Sequence, residues 1–108
     1  MWAEGLHRQA GPMSTILRIE HPVLDYDMWK NLFDIKGPNF RTRFEARRYQ
    51  VLRPVDDPRF VMIDVDFDNR KGAEGLLAAL RELWGQPGHD VDSDQQARIV
   101  EAVESVGY

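Results

Sequence analysis

Cysteine is absent from all 108 residues. Disulfides, thiolate nucleophiles and Cys-ligated zinc or iron–sulfur sites are thereby excluded. The absence is compatible with the cytoplasm, the location expected here. Positive charge is in short supply: 14 Lys and Arg stand against 18 Asp and Glu, a net charge of −4. That balance argues against a nucleic-acid or anionic-membrane surface. No apolar run approaches the length needed to span a bilayer. Histidine occurs only three times, with no paired metal histidines, no Ser-His-Asp arrangement and no nucleotide glycine loop. No metal and no cofactor is expected.

The opening stretch MWAEGLHRQAGP has neither the apolar segment of a secretory signal nor a periodic pattern. Residues 1–13 are therefore expected to be a flexible extension, on which Trp2 and Leu6 are apolar enough to dock. Residues 14–108 are expected to form one domain, the ordinary size for a single core. Three Trp, five Phe and three Tyr suffice for a small core, and a chain this short leaves enough surface exposed to favour self-association.

STILRIEH (14–21) alternates as a strand, with Leu17, Ile19 and His21 on one face and Ile16, Arg18 and Glu20 on the other. Pro22 breaks it. Asp25 suits a helix N-cap, Asp27 suits the first turn, and Tyr26, Trp29, Leu32 and Phe33 form one stripe. Gly37-Pro38 reads as the stop, with NFRTR (39–43) a loop. FEARRYQVLR (44–53) and FVMIDVDFD (60–68) read as strands of an antiparallel hairpin, joined by PVDDPR (54–59). Asp68 or Asn69 caps a second helix containing AEGLLAALRELW, where Gly72 and Gly75 permit close packing or, the favoured reading, are plainly tolerated, and Gly85 and Pro87 close the end. GQPGHDVDSDQQ (85–96) is a polar loop. ARIVEAVESVGY (97–108) carries Ile99, Val100, Val103 and Val106 at spacings that also suit a helix; its β-branched content and the need to complete a sheet favour a strand.

The order β-α-β-β-α-β is the ferredoxin-like α+β plan: a four-stranded antiparallel sheet with two helices on one face. The covered face should carry Leu17, Ile19, Tyr49, Val51, Val61, Ile63, Val65 and Phe67, packed on Trp29, Phe33, Leu77 and Leu80. The other face would hold Ile16, Arg18, Glu20, Arg48, Gln50, Leu52, Phe60, Met62 and Asp64. Exposed, that mixture is an odd apolar patch. A homodimer through the open sheet face hides it, provided Arg18 or Arg48 pairs with Glu20 or Asp64.

The segments LDYDMWKNLFD, RRYQVLRPVDDPRFVMIDVDFD and AEGLLAALRELWG resemble small bacterial proteins of the dimeric α/β-barrel superfamily, relatives of the antibiotic biosynthesis monooxygenases. The resemblance spans roughly residues 14–106. It implies a ferredoxin-like protomer and a barrel formed by two facing sheets. It implies little about activity, since that superfamily includes cofactor-free oxygenases, haem-degrading enzymes, cyclases, isomerases and non-catalytic members. The haem-degrading branch is a poor match: it uses an Asn on the first strand with a Trp and a His in the pocket. Here that strand has no Asn, and His89 lies in a loop.

Several constellations carry chemistry, each with a plainer alternative. His21, at the end of the first strand, suits proton transfer near neutrality, or simply a backbone bond. Tyr26, Trp29 and Phe33 suit the wall of an apolar pocket, or ordinary core. Arg48 and Asp64, taken as neighbours on paired central strands, suit binding of a carboxylate or polarised carbonyl, or an intersheet ion pair. RTRFEARR (41–48) is basic, and the RNA-recognition fold shares this element order. The third strand, however, is acidic and lacks the basic residue, Gly and stacking aromatics of that fold. DVDSD (90–94) resembles a calcium loop, but Gln95 stands where Gly is required.

Two functions follow. One is a cofactor-independent small-molecule oxygenase or cyclase: His21 moves protons, Arg48 steadies a developing oxyanion, and Trp29, Phe33 and Met62 shape an apolar substrate, with Asp64 counted among the catalytic candidates. The other is a non-catalytic homodimeric module that binds a ligand or partner. The first requires a cavity with convergent polar groups; the second is satisfied by a filled core and paired charges.

Overall fold

The structure, a computed structural model, describes residues 15–85 and 95–108. The expected extension over residues 1–13 and the calcium-like DVDSD stretch lie outside them. Six elements follow in order: β1 (Thr15–Pro22), α1 (Tyr26–Phe44), β2 (Arg48–Leu52), β3 (Phe60–Phe67), α2 (Arg70–Trp84) and β4 (Gln96–Glu101). The sheet order is β2-β3-β1-β4 with all pairings antiparallel. This is the ferredoxin-like arrangement expected from the alternating patterns. The final segment is a strand only as far as Glu101.

Period-2 alternation decides which side chains are covered. Leu17, Ile19, Val61, Ile63, Val65 and Phe67 are buried on the inner face, joined by Ala73 and Leu76 of α2. Leu17 and Val61 are fully enclosed. Burial of such aliphatic side chains supplies about 1.5–3 kcal/mol each before the entropy of ordering them. Asn69 caps α2 through its side-chain oxygen, which accepts from the Lys71 N–H at 3.0 Å.

Helix α1 departs from expectation. Asp25 caps it as predicted, accepting the Met28 N–H at 3.1 Å. The helix then continues through Gly37-Pro38 to Phe44. Residues 39–43 are therefore helix, not loop, and β2 begins at Arg48. Pro38 deprives the Asp34 carbonyl of its helical donor. Phe40 and Phe44, stacked with centroids 6.3 Å apart, both pack against the core cluster and hold the last turns in place. The chain leaves the helix at Glu45, a left-handed residue (φ 59°), with the Ala46 N–H donating to the Arg41 carbonyl at 3.0 Å.

The two helices meet at the far end of α1. A Cβ on Gly72 would lie 2.6 Å from the Phe44 carbonyl oxygen and 2.8 Å from Phe67 Cδ1; one on Gly75 would lie 2.9 Å from Phe44 Cδ1. These glycines are required for close approach, which corrects the reading that they are merely tolerated. Elsewhere α1 reaches the core through the partly buried side chains of Tyr26, Trp29 and Phe33. None of its 19 residues is fully buried. Among the described residues no helix is long and apolar enough to cross a membrane.

Candidate functional site

With α1 reaching the sheet through long side chains and close to α2 at Phe44, a cavity of about 470 Å³ remains between the helices and the sheet. Its floor is Ile19, His21, Ile63, Val65 and Tyr49. Leu24, Met28, Trp29, Leu32 and Phe33 of α1 and its N-terminal approach line one wall; Leu76, Leu80, Leu83 and Trp84 of α2 line the other. This size and largely apolar lining are typical of small-molecule sites.

An aromatic chain crosses the cavity side of α1. Trp29 stacks on Phe33 at 5.1 Å, Phe33 meets Tyr49 edge-on at 5.2 Å, and His21 meets Trp29 edge-on at 5.9 Å. His21 is only 4% exposed. Its Nδ1 lies 2.9 Å from the Pro22 carbonyl oxygen. A carbonyl can only accept, so Nδ1 carries the proton in that bond and the ring plane is fixed.

The structure separates the residues singled out by sequence. His21, Trp29 and Phe33 line the cavity. Tyr26 packs on Trp29 at 5.8 Å with the Arg53 guanidinium 4.4 Å above its ring, and it is not part of the lining. Met62 and Asp64 alternate with the buried residues of β3 and belong to the opposite, open face, where Arg48 pairs with Asp66. They are therefore a sheet thickness away from His21.

On that open face the register rearranges the expected pair. Arg48 is opposite Asp66, not Asp64, and β2 is an edge strand, not a central one. Arg48 Nε donates to Asp66 Oδ2 at 2.6 Å. Asp64 is held by Arg18, whose Nε and Nη2 each donate at 2.8 Å to the two carboxylate oxygens. The hydrogen bond to Asp64, reinforced by its charge, holds the Arg18 guanidinium above its ordinary pKa. Asp66 was missed because its partner depends on hairpin register, which strand alternation alone does not specify. The four arginines of RTRFEARR are dispersed: Arg41 and Arg43 close α1, Arg47 lies 3.5 Å from Asp68, and Arg48 pairs as described.

Together the element order, the antiparallel sheet and the paired helices define a ferredoxin-like α+β protein. No known family profile matches the chain. A stretch of 42 residues, 39% of the chain, is 38% identical to part of an uncharacterised protein from Haemophilus influenzae, of which it spans only 7%. The fold is similar to the crystal structure of a dimeric ferredoxin-like protein from an uncultured marine organism. That likeness has a TM-score of 0.65 at 9% identity and covers 87% of this chain and 99% of the other. At that identity the likeness concerns the fold alone.

Proposed function

We propose that the chain is a homodimeric binding module that holds an apolar small molecule between α1, α2 and the sheet. The cavity of about 470 Å³ carries this reading: it leaves apolar side chains of α1, α2 and the sheet around an open space of the size and lining that suit an apolar ligand. Pairing through the open sheet faces is supported by the partly exposed mixture there. Ile16, Leu52, Phe60 and Met62 lie beside the Arg18–Asp64 and Arg48–Asp66 pairs, so apolar contact and matched charge are both offered to a second copy. The neighbour in fold is described as dimeric. Two such sheets facing one another make the α/β barrel implied by the sequence resemblance.

The binding reading is preferred to catalysis because the polar groups do not converge. Arg48 and Asp64 are each engaged in an ion pair on the face opposite His21. A cofactor-independent oxygenase or cyclase remains the second reading, supported by His21 at the cavity floor beside Trp29. It needs His21 alone to manage the proton.

Fluorescence titration tests both, since Trp29 and Trp84 line the cavity. Decanol should perturb the emission saturably, and Leu80→Trp, which fills the space, should abolish the response while the protein remains folded. An unchanged spectrum at saturating decanol would remove the binding reading. Turnover of any bound substrate that disappears in His21→Gln would move the choice to the enzyme.

A further inference from the structure

The charged residues around the cavity are unequally occupied. Four line it: Asp25, Asp34, Lys36 and Arg41. The two acids are engaged. Asp25 caps α1 through the Met28 N–H at 3.1 Å, and Asp34 accepts from Lys30 Nζ at 2.6 Å. Lys36 and Arg41 make no ion pair among the described residues.

The placement of Lys36 is directional. Met28, Leu32 and Lys36 of α1 follow one another at four-residue intervals, so they lie in one row on the helix surface, and Leu24 precedes the helix on the cavity lining. Its two apolar members are exposed, Met28 66% and Leu32 50% accessible, as is Leu24 before the helix. From Met28 to Lys36 the row runs about 12 Å at about 1.5 Å per residue. It forms an apolar track beside the α2 wall of Leu80 and Leu83, and it ends at an ammonium group.

We propose that this track takes an amphipathic carboxylate, its hydrocarbon chain along Met28 and Leu32 and its head group at Lys36, with Arg41 supplying further positive charge. The proposal rests on the binding reading above and adds the charge and shape of the ligand. The apolar part provides the affinity by removing Leu24, Met28 and Leu32 from water. The carboxylate provides orientation, since a charged head group left in the apolar track would lose its solvation without compensation. A cationic amphiphile of equal length has the opposite preference, facing two cations at that end.

Decanoate, decanol and decylamine, which differ only in the head group, separate the two claims. Calorimetry should show decanoate binding about fivefold more tightly than decanol, the scale of one solvent-accessible charge pair, with decylamine weakest. Lys36→Met should erase the advantage of decanoate over decanol and leave decanol unchanged. Lys36→Glu should invert the order of decanoate and decylamine. Circular dichroism should be unaltered, because Lys36 is exposed. Equal binding of all three amphiphiles, or an order indifferent to Lys36→Glu, overturns the carboxylate proposal and leaves the apolar cavity standing. Binding of none of them overturns the cavity reading as well.

Discussion

Arg18 and Asp64 face each other across β1 and β3 and are joined by two parallel hydrogen bonds of 2.8 Å. Their row continues outward to Gln50 on β2 and Arg98 on β4. Arg98 is thus a like-charged neighbour of Arg18, and Asp64 is the only acid in the row. Asp64→Lys would leave three cations and no anion in it. If two sheets stack through this face, sedimentation should show the substituted protein as a monomer, with a cost to association of about 2–5 kcal/mol. Unaltered sedimentation would mean that another surface joins the protomers.

The clamp between the helices makes an opposite pair of expectations for two glycines. Helix propensity alone would reward Gly72→Ala by up to about 1 kcal/mol. The contact at 2.6 Å with the Phe44 carbonyl should reverse the sign, costing about 1–3 kcal/mol through overpacking. Gly85→Ala has ordinary room, 3.5 Å to the nearest atom, and should be close to neutral. Urea unfolding of the two variants side by side decides whether the clamp is as tight as described.

Glu45 ends α1 in a left-handed conformation at φ 59°. A side chain there costs about 1–2 kcal/mol that glycine does not incur. Glycine's larger unfolded-state entropy cancels part of the gain. Glu45→Gly should raise stability by about 0.5–1 kcal/mol, read as a higher midpoint in thermal or urea unfolding. A lower midpoint would show that the Glu45 side chain contributes something to the fold beyond its backbone role.

The inner and outer apolar residues should respond differently to truncation. Leu17 is fully enclosed, so Leu17→Ala should cost about 2–5 kcal/mol. Met28 is 66% exposed, and Met28→Ala should stay within about 0.5 kcal/mol while weakening decanol binding. Equal destabilisation by both would show that α1 lies closer to the core than its exposure indicates.

What could be read in the sequence, and what could not, divides along local and non-local lines. Strict alternation in FVMIDVDF made both faces of β3 legible, and Asp25 announced the start of α1 by cap chemistry. The end of α1 was hidden because Gly37-Pro38 is a local stop signal, overridden by Phe40 and Phe44 packing against residues far along the chain. Trp29 and Phe33 were recognisable as a stripe that serves core and pocket alike. Their role depends on the distance between helix and sheet, which no single segment records. The Arg48–Asp66 pair depends on hairpin register, and neither strand specifies that by itself.

Helix α1 can also be viewed mechanically. It is a rod about 28 Å long at about 1.5 Å per residue, set close against α2 near Phe44 and held off the sheet by Trp29 and Phe33 along its first half. Gly72 and Gly75 act as its fulcrum. A larger residue at position 75 would tilt the rod and change the width of the gap beside Trp29, without altering any side chain that lines it. Ligand selectivity in such a fold can therefore be retuned at a distance, by a substitution that leaves the binding surface chemically unchanged.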